Sequence, residues 1–143
     1  MKNILFGYKP ITFLIVVLIV LSLNSCKKDN DPPPTYHIEG LWTGTIENET
    51  SGPQFYSLSI KPGGTLTFDG IGAGQQHLGI GTWSLNGNTF TSFVTTVYGI
   101  STNVGVKQTL TAEFNNRNGT LIGTWENTSP ANDSGTFSLT KVK

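Results

Sequence analysis

Residues 81–91 read GTWSLNGNTFT, and this stretch decides the fold class. Trp83 and Leu85 alternate with polar residues, which is the period-two pattern of a strand with one buried face. Asn86 and Gly87 follow directly and supply the Asn-Gly pair that favours a type I′ turn between antiparallel strands. The stretch therefore predicts a β-hairpin.

The same alternation recurs on both sides of this hairpin, and from His37 onward no window shows an apolar stripe with helical period. It predicts strands at Gly40–Glu47, Phe55–Lys61, Gly64–Asp69, Leu78–Leu85, Thr89–Tyr98, Val104–Asn115, Thr120–Glu126 and Gly135–Val142. The inward-facing candidates are Trp42, Ile46, Leu58, Ile60, Leu66, Phe68, Trp83, Leu85, Leu110, Phe114, Leu121, Trp125, Phe137 and Leu139. We expect Trp83 and Trp125 to be largely buried.

Residues between these strands carry turn or loop chemistry. Residues 61–64, KPGG, place Pro and Gly as a type II turn requires, and residues 115–119, NNRNG, predict a longer turn. Residues 69–76, DGIGAGQQ, are so rich in glycine that they predict a mobile loop.

Short connections between consecutive strands indicate a meander. An open meander of this size leaves two unpaired edges, and closure into a barrel removes them. A two-sheet sandwich is the competing fold, although it normally needs crossovers longer than most of these connections. We therefore predict an all-β fold, a single small antiparallel eight-stranded up-and-down β-barrel.

A Gly-x-Trp motif occurs at residues 40–42, 81–83 and 123–125. Residues two apart in a strand share a face, so we expect each glycine to leave room beside its own indole. The spacing approaches that of propeller blades, but the domain is too short for the minimum of about four blades.

The N-terminal segment has a different composition. Lys2 and Lys9 precede an uncharged run at residues 11–23, ITFLIVVLIVLSL. As a helix this run spans about 20 Å, less than the hydrocarbon core of about 30 Å. It therefore predicts a signal peptide in preference to a stable membrane span.

The run ends in residues 23–26, LNSC, which resemble the lipobox of bacterial lipoproteins. The resemblance implies that residues 1–25 are a lipoprotein signal peptide and that Cys26 becomes the lipid-bearing N-terminus. Residues 26–36 then form a flexible, proline-rich tether, and residues 37–143 form the barrel domain. The alternative is a buried cysteine in an uncleaved helix.

By the same resemblance, the absence of Asp after Cys26 favours the outer membrane of a bacterial cell envelope. The Lys and Asp cluster in residues 27–35, KKDNDPPPT, resembles signals that export lipoproteins to the cell surface, and it fits a solvated linker equally well. Periplasmic and surface orientations therefore both stay open.

Gly40-Leu41-Trp42 resembles the N-terminal motif of lipocalins. Residues 81–91 and 123–141 are similar to the lipocalin-like domains of small bacterial lipoproteins, and the resemblance covers about residues 38–143. It implies a calycin-type barrel that binds a small apolar ligand, with Trp42 closing one end. The candidate ligand-binding residues are Trp42, Phe68, Gly81, Trp83 and Trp125. We expect the ligand to enter at the end that carries residues 69–76, where Gly79 and Gly81 would leave space.

Several other functions are disfavoured. The 9 Lys and Arg balance the 9 Asp and Glu, so no basic surface indicates nucleic acid binding. The single Cys excludes a Cys-based zinc site. Asp69 and His77 flank the glycine-rich stretch and are candidates for an acid/base or metal pair, but no third ligand or nucleophile is evident. We expect two solvated loop residues, no enzyme activity, no metal and no cofactor.

A different class of function stays open. Residues 89–98, TFTSFVTTVY, place large apolar groups on both faces of one strand. Phe93 and Val97 would then be covered by a loop or form an exposed patch of the kind that marks interfaces. The alternative is therefore a filled barrel that acts as a protein-interaction or inhibitor module on the envelope. A cavity of about 300 Å³ or more would favour the ligand binder.

Overall fold

The computed structural model describes residues 35–143, in which every regular element is a β-strand. The strands are β1 (Gly40–Asn48), β2 (Gln54–Lys61), β3 (Thr65–Gly72), β4 (Gln75–Asn86), β5 (Thr89–Tyr98), β6 (Lys107–Asn115), β7 (Thr120–Ser129) and β8 (Ala131–Lys141). The predicted signal peptide, most of the predicted tether and Cys26 lie outside the described residues. Among residues 35–143 there is no helix long and apolar enough to cross a membrane.

The strands form a closed antiparallel barrel in chain order. Each strand pairs with the next, and β1 also pairs with β8, from Trp42 opposite Lys141 to Asn48 opposite Gly135. This last pairing removes both edges of the sheet. The predicted eight-stranded up-and-down barrel is therefore confirmed, and the competing sandwich is wrong.

The predicted mobile loop at residues 69–76 is wrong. Residues 69–72 belong to β3 and residues 75–76 to β4, with Gly72 paired opposite Gln75. Ala73 and Gly74 alone form the connection, and both have positive φ, 49° and 74°, as a type I′ turn requires. Glycine content misled the prediction because Gly70 lies within a strand, where it makes room for the Tyr56 ring, and Gly74 belongs to a tight turn.

Two other local predictions need correction. The β4–β5 turn contains Gly87 and Asn88, and Gly87 has φ 59° whereas Asn88 does not have a positive φ. That pattern belongs to type II′, so the type I′ turn predicted one residue earlier is wrong. Residues 104–106, predicted as strand, belong to the β5–β6 connection, where Gly105 donates its backbone N–H to the Thr96 carbonyl oxygen at 2.8 Å.

The end of the barrel where β1 begins is filled, and we call it the closed end. The largest fully buried apolar side chains of the described residues lie in this half, and each contributes about 1.5–3 kcal/mol by burial; they are Trp42, Leu58, Ile60, Leu66, Phe90, Leu110, Leu121 and Leu139. All the predicted inward-facing side chains are buried or packed against this core, so that prediction is confirmed. Tyr56, Phe90 and Val94 are core residues that the prediction missed.

The chain enters the barrel across the closed end. Tyr36 donates its backbone N–H to the Asn116 carbonyl oxygen at 2.8 Å, and Ile38 is buried. The Trp42 indole N–H donates to the Ile38 carbonyl oxygen at 2.7 Å, and the Lys141 ammonium lies 5.0 Å from the centre of the same indole. Trp42 thus lies beneath residues 36–39 at the closed end.

Candidate functional site

A cavity of about 390 Å³ lies at the opposite end of the barrel, which we call the open end. Its apolar lining comes from Ile46, Tyr56, Phe68, Ile71, Val106 and Trp125, and its polar lining includes Asn48, Gln54, His77, Thr96, Gln108 and Asn127. The volume falls within the range of about 300–1,000 Å³ that is usual for small-molecule sites. The open end can therefore accommodate a small ligand.

Glycines in the barrel wall position the aromatic side chains around this cavity. A Cβ atom on Gly70 would lie 2.8 Å from Tyr56 Cδ2, and one on Gly79 would lie 2.0 Å from Phe68 Cε1. The Tyr56 and Phe68 rings therefore occupy the space that side chains at positions 70 and 79 would otherwise fill. Because both rings pack against the barrel wall, they line the cavity without filling its centre.

His77 belongs to the same cavity. It is buried, and its Nε2 lies 3.2 Å from the Gly72 carbonyl oxygen. A Cβ atom on Gly99 would lie 2.6 Å from His77 Nδ1, so this glycine leaves room for the imidazole. The prediction that His77 is a solvated loop residue is therefore wrong.

The predicted pair of Asp69 and His77 does not form. His77 pairs across the sheet with Gly70, which places Asp69 on the other face of β3. The Asp69 carboxylate accepts hydrogen bonds from the Gln76 side chain at 3.0 and 3.1 Å, outside the barrel. Within residues 35–143, no group of three or more His, Cys, Asp or Glu side chains is arranged to hold a metal ion.

Two polar atoms of the lining have no hydrogen-bond partner among the described residues. They are the Tyr56 hydroxyl and the Gln54 Oε1, and both are buried. Burial raises the pKa of the Tyr56 phenol far above its usual range, so the hydroxyl keeps its proton and stays a donor. By contrast, the Gln108 amide, also in the lining, donates to Asn127 Oδ1 at 3.0 Å.

Asp133 is the acidic side chain of the cavity lining. Its Oδ1 accepts a hydrogen bond from the Asn48 amide at 3.1 Å. The Glu47 carboxylate lies on the outer face of β1, where it accepts from the Thr136 hydroxyl at 3.1 Å. Among the described residues, the lining contains His77 but no Lys or Arg. An anionic ligand would therefore meet no Lys or Arg side chain there.

The structure brings together some of the predicted ligand-binding residues. Phe68 and Trp125 line the cavity, and the Trp125 indole N–H donates to the Glu47 carbonyl oxygen at 3.0 Å. Trp42 and Trp83 lie at the closed end, outside the lining. Trp125 is 7% exposed, as predicted, whereas Trp83 is only partly buried.

Gly81 also lies outside the cavity lining. A Cβ atom there would lie 2.2 Å from the Phe93 carbonyl oxygen and 2.8 Å from Val94 Cγ1, so the space over Gly81 is already filled. Phe68 fills the space over Gly79 in the same way. The prediction that these glycines leave room for a ligand is therefore wrong.

Sequence reasoning missed Gln54, Tyr56 and His77 as residues of the cavity. Tyr56 continues the alternation of Leu58 and Ile60, and that signal was present in the sequence. Gln54 precedes the predicted strand by one residue, and its inward position follows only from the observed register opposite Ile46.

The outer wall carries exposed apolar side chains on neighbouring strands. Phe93 is 60% exposed, and Val97 and Ile80 are about half exposed. Of the two alternatives for Phe93 and Val97, cover by a loop or an exposed patch, the structure shows the exposed patch.

No protein-family model, curated protein or solved structure matches the chain. The residues of the cavity and the sequence motifs are therefore the basis for assigning a function.

Proposed function

We propose that the protein is a lipid-anchored lipoprotein of the bacterial cell envelope that binds a small, mainly apolar ligand at the open end of its barrel. The observation that carries the proposal is the cavity of about 390 Å³. An eight-stranded barrel is wide enough either to be filled by side chains or to hold one small ligand. Here the side chains fill the closed end and leave the open end vacant.

The cavity wall suits an apolar molecule. Tyr56, Phe68 and Trp125 present aromatic surface, and Ile46 and Val106 add aliphatic surface. A ligand that buries about 200 Å² of apolar surface gains about 5 kcal/mol at roughly 25 cal/mol per Å². Lost translational and rotational freedom offsets part of this gain.

The motif at residues 23–26 supports the anchor, because Cys26 is the single cysteine of the chain and lies three residues after the end of the apolar run. Two acyl chains hold a protein on a bilayer more stably than one. Residues 36–39 join the barrel at its closed end, which is opposite the cavity. We place the protein at the outer membrane, on the periplasmic side or at the cell surface.

The proposed role is binding without catalysis. His77 is buried in the cavity, and Asp69 lies on the other face of the sheet from it. The Asp69 and His77 pair that the sequence offered for general acid/base chemistry is therefore not formed.

A second candidate function rests on the exposed patch of Ile80, Phe93 and Val97. Exposed apolar surface of this kind is typical of protein interfaces. In this alternative the barrel binds a protein partner on the envelope through its outer wall.

Native mass spectrometry of the full chain, purified from the envelope of its own host, tests the proposal. We expect a co-purifying small molecule. Gln108→Phe adds a ring to the cavity lining and should abolish binding of the small molecule. Thr109→Phe changes the next residue along β6 and should retain that binding. A folded protein without any bound small molecule would contradict the proposal. A bound protein that is lost with Phe93→Ser would support the second candidate.

A further inference from the structure

We infer that the ligand carries an uncharged polar group, such as a hydroxyl or an amide, which hydrogen-bonds to Tyr56 and Gln54 inside the cavity. The inference rests on the proposed function, because it concerns the ligand of the same site. It narrows the ligand from an apolar molecule to a neutral amphiphile whose polar group points into the barrel.

Tyr56 provides the first observation. Its side chain is 3% exposed, and its hydroxyl has no hydrogen-bond partner among the described residues. A buried hydroxyl without a partner is unfavourable, and native proteins rarely leave one in that state. A polar group on the ligand would remove this cost.

The neighbours of Tyr56 explain why the protein itself does not satisfy the hydroxyl. Tyr56 pairs with Gly44 on β1 and with Gly70 on β3, so no side chain stands directly beside it on either strand. Its ring packs against Phe68, with the ring centres 5.5 Å apart. The ring is thus held by apolar contact and glycine backbone, which supply no side-chain partner for the hydroxyl.

Gln54 provides the second observation. It lies two residues before Tyr56 on β2, so the two side chains share a face and their Cα atoms lie about 7 Å apart. Gln54 Oε1 is also buried without a partner in the described part of the chain. It accepts hydrogen bonds, whereas the Tyr56 hydroxyl both donates and accepts. A ligand hydroxyl or amide can therefore donate to Gln54 and accept from Tyr56.

The charge of the lining disfavours an anionic ligand. The described lining contains the Asp133 carboxylate and the His77 imidazole but no Lys or Arg. A carboxylate or phosphate placed beside Tyr56 would be desolvated without a Lys or Arg partner, which is unfavourable. The Asp133 carboxylate, which accepts a hydrogen bond from the Asn48 amide, would also repel it.

Three probes of similar shape distinguish an apolar, a neutral polar and an anionic ligand. They are naphthalene, 2-naphthol and 2-naphthoate. Equilibrium dialysis at neutral pH measures their binding to the full chain in lipid nanodiscs, and empty discs correct for partition into lipid. We expect 2-naphthol to bind about tenfold more tightly than naphthalene, which corresponds to about 1.4 kcal/mol. The charged 2-naphthoate should bind more weakly than both.

Variants assign the difference to the two residues. Tyr56→Phe and Gln54→Leu should each lower the affinity for 2-naphthol relative to that for naphthalene about three- to tenfold, as loss of one hydrogen bond does. Ser92→Ala is the matched control and should leave this ratio unchanged, because Ser92 also has a buried hydroxyl without a partner in the described chain but lies outside the cavity lining. Saturable naphthalene binding shows that each variant is folded.

Each outcome decides the inference. Equal affinity for naphthalene and 2-naphthol would overturn the inference that the ligand carries a polar group and would leave the proposed function standing. Tightest binding of 2-naphthoate would overturn the inference that this group is uncharged. No saturable binding of any probe would overturn the proposed function and this inference with it.

Discussion

At the scale of single residues, two buried serines differ in the partners of their hydroxyls. Ser92 is fully buried on β5, and its Oγ has no hydrogen-bond partner among residues 35–143. Ser57 is buried on β2, and its hydroxyl donates to the Asp69 carbonyl oxygen at 3.2 Å. An unpartnered buried polar group lowers stability, whereas a satisfied one contributes to it.

We therefore expect opposite effects from the same substitution. Ser92→Ala should raise the free energy of unfolding by about 1 kcal/mol, and Ser57→Ala should lower it by about 1 kcal/mol. Chemical denaturation of both variants measures the difference. A loss of stability in Ser92→Ala as large as that in Ser57→Ala would mean that the Ser92 hydroxyl has a partner, such as a buried water.

The three tryptophans show that the local sequence pattern does not predict at which end of the barrel a side chain lies. Each indole N–H donates to a backbone carbonyl oxygen, of Ile38 for Trp42, of Lys61 for Trp83 and of Glu47 for Trp125. Trp42 and Trp83 lie at the closed end, whereas Trp125 lines the cavity at the open end. Alternation predicts the face of the wall on which a side chain lies, but not its height along the barrel.

At the scale of elements, β3 and β4 show glycine used for packing inside strands. Gly70 and Gly79 face the interior on these strands, and each leaves the space that an aromatic ring of a neighbouring strand occupies. The ring of Tyr56 lies over Gly70, and the ring of Phe68 lies over Gly79. Glycine in this segment therefore shapes the wall of the cavity without interrupting the strands.

A pair of glycine variants tests this role. In Gly79→Ala the new methyl group would lie 2.0 Å from Phe68 Cε1, and such overpacking typically costs about 1–3 kcal/mol of folding free energy. Gly52→Ala is the control, because a Cβ atom there meets nothing within 4 Å. Thermal or chemical denaturation of the two variants provides the comparison.

If Gly79→Ala proves as harmless as Gly52→Ala, the Phe68 ring is free to move. The cavity would then lose volume as the ring turns inward, and naphthalene binding would weaken. Stability and naphthalene binding both unchanged would contradict the role of Gly79 in holding the ring against the wall.

At the scale of the whole molecule, one barrel combines a filled half and a vacant half. The closed end holds the largest buried side chains and is crossed by residues 36–39, whereas the open end encloses the cavity. Pairing of β1 with β8 closes the wall around both halves. The filled half can therefore stabilise the fold while the vacant half provides the cavity for the proposed ligand.

The proposed lipid anchor concerns the whole chain, and Cys26→Ser tests it. We expect the variant to be unprocessed or soluble and to lose lipid-dependent partition into the detergent phase, because no other cysteine of the chain can accept a thioether-linked lipid. Ser25→Ala keeps a small residue before the cysteine and should remain anchored. Phase separation in detergent, followed by immunoblotting, provides the measurement.

Processing of the signal peptide must be followed in the same experiment. A Cys26→Ser protein that has lost its signal peptide and still partitions with membranes would contradict the lipoprotein assignment. Circular dichroism of the soluble fraction shows whether the β-barrel has formed.

The sequence alone determined the all-β class, the chain order of the barrel strands and the inward face of each strand. These features depend on alternation and turn residues within a few positions of one another, as in residues 81–91. Turn geometry was predicted less well. In the observed register Asn86 pairs with Thr89, so the turn residues are Gly87 and Asn88 and not the predicted pair Asn86 and Gly87.

Only the tertiary structure decided where the interior is filled and where it is vacant. Residues 69–72 and 75–76 belong to strands, and the Tyr56 ring packs over Gly70 in this segment, as the Phe68 ring packs over Gly79 further along β4. The strand register places Gly44 and Gly70 opposite Tyr56, and Ile46 opposite Gln54, so neither residue has a polar side chain directly opposite it. Such contacts join residues that are distant in the chain, and no local pattern of the sequence encodes them.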